Sequence, residues 1–160
     1  MAKSKKPVDG ALVDMIAQNL FNALPIFRKR LVHMDVIQRE YHIPLSHVQV
    51  LAMLSDNGAM SVSEISRRLG IAKPNLTPLV DRLIVEGLAQ RHRNEADRRV
   101  INITICEKGE KKLAMIRQTI LAQVSGWAEK FTLAELKELN ASLASVTRIL
   151  GGMAAASTQE

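Results

Sequence analysis

Residues 61–105 read SVSEISRRLGIAKPNLTPLVDRLIVEGLAQRHRNEADRRVINITI, and this stretch decides the fold. It opens with a capping box, in which the Ser61 hydroxyl caps a helix and Glu64 reaches back to the cap. The helix is expected to be short, covering residues 62–69, because Gly70 is a natural C-terminal stop. A second helix begins after two further residues, so the stretch predicts two helices joined by a tight turn.

The second helix is predicted over residues 73–86, and Gly87 ends it. Apolar residues recur along it at the spacing of one helical face. The residues of that face, which we expect to be buried, are Leu76, Leu79, Val80 and Leu83. The opposite face carries Lys73, Asn75, Thr77, Pro78, Asp81 and Arg82. Short polar residues and a cation near a helix N-terminus suit the major groove of DNA, where the N-terminus favours phosphate and Asn or Thr reaches base edges.

After the second helix, the period of the apolar residues changes to two, which indicates β-strands. Residues 100–105 alternate between two faces, and residues 88–93 are predicted to pair with them across a charged tip at residues 94–99. Two close helices followed by a hairpin are the order of a winged helix-turn-helix. Arginines at the tip of such a wing can enter a minor groove or pair with phosphate.

These patterns predict a DNA-binding surface made of one helix face and the wing. Its expected members are Lys73, Asn75, Thr77, Arg82, Arg93, Arg98 and Arg99. The residues alone leave a plainer alternative open, in which the helix face is an ordinary solvent-exposed face and the tip is a solvated charged turn.

Composition agrees with a polyanion as the partner. The 160 residues carry a net charge of +6, and 47% of them are apolar, which is enough for a core. Residues 61–112 hold eleven basic and seven acidic residues, so much of the basic excess lies in the predicted helix-turn-helix and wing. We expect one domain at residues 10–150, between a disordered tail at residues 1–9 and a second tail at residues 151–160.

Several functional classes are disfavoured. With Cys106 as the only cysteine there is no internal disulfide, and a reducing cytoplasm is the simple expectation. No apolar stretch reaches the roughly 18 residues of a membrane span. The four histidines lack metal-ligand spacing, and no nucleophile–base pair or phosphate-binding glycine loop is present, so neither an enzyme nor a cofactor is expected.

The outer parts of the chain are predicted to be helical and carry apolar stripes in heptad spacing. The first stripe lies in residues 10–41, where Pro25 should kink or split the helix. The second lies in residues 107–150, which include a capping box at Thr132 and Glu135 and end at a pair of glycines, residues 151 and 152. Such stripes fit either an intramolecular core or a dimer interface.

Residues 61–91, the segment LSHVQVLAML and the wing NEADRRVINITICEKG together resemble the multiple antibiotic resistance regulator (MarR) family of bacterial transcription factors. The resemblance covers about residues 10–150. It implies a mainly α fold with a small β-wing, in which a winged helix-turn-helix is flanked by N- and C-terminal dimerisation helices, about residues 10–41 and 107–150. The wing signature Asp-x-Arg matches Asp97 to Arg99, which implies that Arg99 enters the minor groove and that Asp97 braces the wing through a partner arginine.

Two positions depart from the family pattern. Pro78 stands where the family often has arginine, directly after the threonine of the recognition helix, and it removes one backbone donor. Cys106 stands where the family usually has threonine before Glu-Lys-Gly, and cysteine is the poorer helix cap.

The resemblance also implies a regulatory ligand. Family members typically bind a small anionic or aromatic effector between the dimer helices and the DNA-binding lobe. Near that junction the polar residues expected to form the pocket are Arg30, His33, Tyr41 and His47. The sequence therefore predicts a cytoplasmic, homodimeric repressor that binds a pseudo-palindromic operator in double-stranded DNA and is released by such an effector. The alternative is a winged-helix protein-interaction module that does not bind DNA.

Overall fold

A computed structural model of the chain describes residues 8–27, 33–93 and 100–156, with side-chain surroundings given as far as residue 150. The described residues are mainly helical with one small sheet, as the sequence predicts. In chain order the elements are α1 Gly10–Ile26, α2 Met34–Tyr41, α3 Leu45–Asn57, β1 Met60–Ser61, α4 Val62–Leu69, α5 Lys73–Val85, β2 Ala89–Arg93, β3 Ile101–Ile105, α6 Glu107–Ala128 and α7 Leu133–Ala156. None of the described helices is both long and apolar enough to cross a membrane.

The helix-turn-helix forms at the positions that the cap residue Ser61 and the stop residue Gly70 predict. The Ser61 hydroxyl accepts a hydrogen bond from the Glu64 N–H at 3.2 Å, so α4 begins at its predicted cap. Gly70 ends α4 with φ of +65°, a left-handed conformation that glycine adopts without steric penalty. One half of the predicted capping box differs, because the Glu64 carboxylate pairs with Arg68 at 2.9 Å.

The sheet contains one strand that the sequence pattern did not predict. The strand order is β1-β3-β2, and both pairings are antiparallel. The predicted hairpin is confirmed, with Ala89 opposite Ile105 and Arg93 opposite Ile101, while its tip at residues 94–99 lies outside the described residues. β1 places Met60 opposite Ile103, which anchors the start of α4 to the wing.

The core fills the space between the helix-turn-helix, α3 and the sheet. Three residues of the predicted inner face of α5 are fully buried, and the fourth, Leu79, is partly buried against them. The other fully buried core residues belong mainly to α3, α4, the sheet and α6, namely Val50, Leu51, Ile65, Ile103 and Ile116. This aliphatic cluster fixes the orientation of α5.

The outer helices agree with expectation in one respect and differ in another. Residues 10–41 form two helices, α1 and α2, as the expected kink or split at Pro25 allows, although Pro25 itself lies inside α1 one residue before its end. The predicted stop at residues 151 and 152 is wrong, because α7 runs on to Ala156. Glycine ends a helix only where its backbone turns left-handed, and otherwise it destabilises a helix by about 1 kcal/mol without breaking it. The capping box before α7 is confirmed, since the Thr132 N–H donates to Glu135 at 2.8 Å and the Glu135 N–H donates to Thr132 Oγ1 at 3.3 Å.

A large apolar surface is left uncovered on α1 and α7. Helix α1 has no buried residue. The exposed large apolar side chains of α1 include Leu12, Leu20, Phe21 and Leu24, and those of α7 include Leu143, Val146, Ile149 and Leu150. The heptad stripes are therefore not an intramolecular core within the described part of the chain, and this leaves them free to meet another molecule.

Two glycines of α6 give a matched test of how closely this helix packs against Leu88, just before the wing. A β-carbon on Gly109 would lie 2.2 Å from the Leu88 carbonyl oxygen, whereas one on Gly126 would meet nothing within 4 Å. We expect Gly109→Ala to lower the free energy of unfolding by about 1–3 kcal/mol, because backbone must move. Gly126→Ala should leave it unchanged or raise it by up to about 1 kcal/mol. Urea unfolding of both variants measures this, and equal stabilities would contradict the close approach of α6 to the wing.

Candidate nucleic-acid interface

The outer face of α5 is exposed, as its periodicity predicts. Side chains of Lys73, Asn75, Thr77, Pro78, Asp81 and Arg82 all lie at the surface. The N-cap residue is Ala72, which has no side-chain group to satisfy the free N–H groups of the first turn. Pro74 has no N–H and the Asn75 N–H donates to the Ala72 carbonyl oxygen at 2.9 Å, so what this helix end presents is mainly the partial positive charge of the helix N-terminus beside Lys73.

Some polar side chains of this face form hydrogen bonds within α5 or with its C-cap residue, and others form none with the described residues. Thr77 Oγ1 donates to the Lys73 carbonyl oxygen at 3.0 Å, and Arg82 Nε donates to Glu86 Oε1 at 2.9 Å. Within the described ranges, no hydrogen bond or ion pair engages the side chains of Lys73 and Asn75. Those two side chains can reach a ligand without breaking an existing contact.

Pro78 sits inside α5 without ending it. The helix continues from Lys73 to Val85, and the proline ring lies on the exposed face directly after Thr77. A proline cannot donate a backbone hydrogen bond, so the carbonyl of Pro74 loses its usual helical partner. The face that the sequence assigns to DNA therefore has an apolar ring at its centre.

A salt bridge joins α5 to the wing. Arg91 Nη2 of β2 donates to Asp81 Oδ1 of α5, and both side chains are about half exposed. Sequence reasoning missed this pair and assigned the bracing role to Asp97, which lies outside the described residues together with Arg98 and Arg99. The signal available was opposite charge ten residues apart, on a helix and a strand linked by the short turn at Gly87.

Arg93 ends the described part of the wing. Its side chain is exposed at the last residue of β2, and none of the described residues makes a hydrogen bond or ion pair with it. The neighbouring His92 lies opposite Asn102, and its Nδ1 is 3.4 Å from Thr104 Oγ1. The hairpin thus carries an exposed cation at the end of β2, opposite Ile101.

Beneath α5 lies a buried histidine. Only 4% of His47 is exposed, and its Nε2 has no hydrogen-bond partner among the described residues. Burial lowers the pKa of His47 from its ordinary value, the positive charge of Arg82 lowers it further, and the negative charge of Glu86 partly opposes both effects. His47 is therefore neutral near pH 7 and belongs to the packing that supports α5.

A shallow groove of about 570 Å³ lies between α2 and α6. It is lined by Tyr41, Ala114, Met115, Gln118, Thr119 and Ala122. The Tyr41 hydroxyl is 2.6 Å from Thr119 Oγ1 and donates to the Met115 carbonyl oxygen at 3.3 Å. Of the four residues expected to form an effector pocket, Tyr41 lines this groove, whereas His33 and His47 do not and Arg30 lies outside the described residues.

The described residues contain no group of three or more His, Cys, Asp or Glu side chains that could hold a metal ion. Cys106 is the N-cap of α6 and makes no side-chain capping bond, in line with its weakness as a cap. Its backbone N–H donates to the Leu88 carbonyl oxygen at 2.9 Å, so its position is set by the main chain.

Comparison with known proteins places this architecture in a family. Residues 42–100, which include α3, the helix-turn-helix and the wing, match the model of the MarR family. The HTH-type transcriptional repressor MdtR of Bacillus subtilis is 31% identical over 98 residues, covering 59% of this chain and 63% of MdtR. Over these residues the chain is similar to the MarR family. It spans somewhat less than two thirds of the length of MdtR.

Solved MarR-family structures share the fold over nearly the whole chain. The structure of RV1404 from Mycobacterium tuberculosis superposes with a TM-score of 0.75 at 21% identity, covering 91% of this chain and 97% of RV1404. The transcriptional repressor CouR, solved on a 23-mer DNA duplex, superposes with a TM-score of 0.67 at 23% identity, covering 89% of this chain and 99% of CouR. At these identities the likeness shows the winged-helix fold.

The Asp81–Arg91 pair should couple the wing of this chain to α5 with little effect on global stability. A double-mutant cycle with Asp81→Ala and Arg91→Ala is expected to give a coupling energy below about 1 kcal/mol, because both groups are solvent-exposed. Amide hydrogen exchange in β2 should nevertheless become faster in either variant. The matched control is Asp35→Ala, which removes the exposed pair with Arg39 on α2. Unchanged exchange in β2 would show that the pair does not hold the wing.

Proposed function

We propose that the chain is a homodimeric, sequence-specific DNA-binding transcriptional regulator of the cytoplasm, and that it represses its targets until a small molecule releases it. The observation that carries this proposal is the exposed N-terminal half of α5, where Lys73 and Asn75 have no partner among the described residues. A helix held by its apolar face and open at its N-terminus fits a major groove. The DNA-bound structure of the relative CouR supports the same use of the fold.

The proposed roles follow from side-chain chemistry. Asn75 is the residue best suited to read a base, because an amide can bond adenine in two places at once. Lys73 at the helix N-terminus suits a phosphate, and Thr77 can turn its hydroxyl from the Lys73 carbonyl to the groove. Arg82 lies farther along α5 and is paired with Glu86, so it would have to leave that carboxylate to contact phosphate.

The wing completes the proposed interface. Arg93 projects from the end of β2, and the proposal adds Arg98 and Arg99 at the tip, with Asp97 as an internal brace. Arginines on a wing beside a recognition helix suit the neighbouring minor groove and its phosphates. Because the contacts to phosphate are charged, affinity should depend steeply on salt.

The proposed dimer is supported by the uncovered apolar surface on α1 and α7. An isologous dimer would bury the same stripes from both copies and would carry two recognition helices related by a two-fold axis. Such a dimer reads a pseudo-palindromic operator whose half-sites lie about 34 Å apart, one turn of DNA. Leu20, Leu24 and Leu143 are among the exposed apolar residues of these two helices.

The proposed effector site is the groove beside Tyr41. Its volume of about 570 Å³ lies within the usual range of small-molecule sites, about 300–1,000 Å³. The lining combines apolar side chains with the hydroxyls of Tyr41 and Thr119, which suits an aromatic compound carrying a polar or anionic group. A ligand that prefers one separation of the recognition helices would shift the dimer toward it and release DNA.

The proposal is tested by selecting duplexes from a random library on the purified protein, followed by salt-dependent affinity measurements on the enriched pool. We expect an inverted repeat and a steep loss of affinity with salt. Enrichment of no sequence, with weak binding that disappears at modest salt, would overturn the proposal and favour a protein-interaction module.

Two substitutions on α5 should separate positioning from base reading. Lys73→Ala should weaken binding to all duplexes about equally and reduce the logarithmic salt slope by about 1, because one phosphate contact is lost. Asn75→Ala should weaken binding to the selected site by about 1–3 kcal/mol relative to random DNA. Lys137→Ala, an exposed cation on α7, is the control of equal charge change. If Lys137→Ala lowers the slope as much as Lys73→Ala, the effect reflects net charge and α5 has no special role.

The proposed interface can be tested without DNA. Leu143→Arg should shift the dimer toward monomer in sedimentation velocity, because it places a charge in an apolar contact. Ser145→Arg adds the same charge on the opposite side of α7 and should leave the dimer intact. Dimers of equal stability in both variants would place the interface elsewhere.

A further inference from the structure

His47 lies in the first turn of α3, a helix that packs against α5. Its ring is buried, Nδ1 lies 3.4 Å from Ser46 Oγ, and Nε2 has no hydrogen-bond partner among the described residues. A buried neutral nitrogen without a partner is already unfavourable, and a buried charged ring without a partner is far more so. The site therefore tolerates the neutral ring and opposes protonation.

The charged groups that act on His47 come from the last turns of α5. They are Arg82 and Glu86, which pair with each other at 2.9 Å. Lys108 of α6 donates to the Glu86 carbonyl oxygen at 2.7 Å and so stands beside the same helix end. Arg82 repels a protonated ring, and the Glu86 carboxylate is the acceptor that would attract it.

Apart from Lys108, the charged side chains that α4 and α6 direct onto described residues of α3 reach its far end. Strand β3, Ile101–Ile105, has no titratable side chain. Helix α6 directs Glu110 to Ser55 and Arg117 to Asp56, and α4 directs Arg68 to Asn57. These α3 residues are eight to ten positions beyond His47, about 12–15 Å along the helix axis. His47 thus responds mainly to the end of α5.

We propose that His47 is a proton-operated switch, whose protonation disrupts the seating of the C-terminal turns of α5 on α3 and thereby weakens DNA binding. A charged ring can be stabilised in two ways. Either Glu86 leaves Arg82 for the ring, or α3 and α5 separate enough to admit water. Both changes move the C-terminal turns of α5. This is the same helix whose N-terminal half presents Lys73, Asn75 and Thr77. The consequence for DNA rests on the proposed function, whereas the movement of α5 does not.

The sign of the pH effect follows from linkage. Burial and Arg82 lower the pKa of His47 in the folded protein, so the unfolded chain takes up the proton first. Stability is therefore fully present above the ordinary histidine pKa of about 6.5 and declines as the pH falls below it, until the folded protein is protonated as well. Acid should both loosen α5 and narrow the stability margin.

The test follows the His47 ring and the amides of residues 81–86 by NMR in the full chain, between about pH 7.5 and about pH 5.5. We expect the ring to titrate below its ordinary range, with the α5 amides shifting at the same midpoint. A ring that titrates without any response in α5 would overturn the switch, and so would a ring that stays neutral until the whole protein unfolds.

Variants isolate the contribution of His47. In His47→Gln the acid-induced loss of stability should shrink, and His47→Leu serves the same purpose should the Gln variant fail to fold. The control is His42→Asn, because His42 is exposed with φ of +50° and Asn tolerates that conformation. It removes one exposed histidine and should keep the acid response of the wild type. An equal reduction in the His42 and His47 variants would overturn the assignment.

The DNA arm compares affinity for the selected duplex at both ends of the pH range. Wild-type protein should lose about fivefold more affinity on acidification than His47→Gln, a coupling at the low end of the usual range. Equal losses would overturn the link to DNA. If wild-type protein binds no duplex at any pH, the proposed function fails by itself, and the NMR arm still decides the switch.

Discussion

One face of α5 must be buried so that the other can be offered to a ligand, and this constraint governs the rest of the structure. Leu76, Val80 and Leu83 are fully buried, and each contributes about 1.5–3 kcal/mol relative to an exposed side chain. Because the helix has a fixed period, locking these residues leaves no freedom in what the outer face presents. The exposed row that includes Lys73 and Asn75 is therefore set by the core beneath it.

Charged groups around this helix adjust its position without holding the fold together. The pairs Asp81–Arg91 and Arg82–Glu86 are largely solvent-exposed, and such pairs typically contribute between 0 and 1 kcal/mol. These pairs orient side chains and elements. Asp81–Arg91 connects α5 to the wing, and Arg82–Glu86 holds the Arg82 side chain against the helix. Since apolar burial supplies most of the stability, these charged pairs can be rearranged at low energetic cost.

Local sequence signals were enough to predict the helix-turn-helix. The features that depend on long-range contacts could not be predicted from the sequence. The Ser61 cap and the Gly70 turn each depend on a few neighbouring residues, so their positions could be read directly. Strand β1 has two residues and exists only because β3 lies beside it, which no periodicity reveals. The same limit applies to the Arg91 brace and to the burial of His47, since a polar residue in a helix gives no sign of facing the core.

The apolar stripes on α1 and α7 link folding to association. In a single chain the exposed side chains of Leu24, Phe27 and Val146 lower stability in water, so a copy of the chain that covers them stabilises the folded state by mass action. The spacing of the two recognition helices in the proposed dimer is then a property of that interface and not of the core under α5. In the proposed regulator, a ligand in the groove beside Tyr41 would act on this spacing and would leave the core under α5 intact.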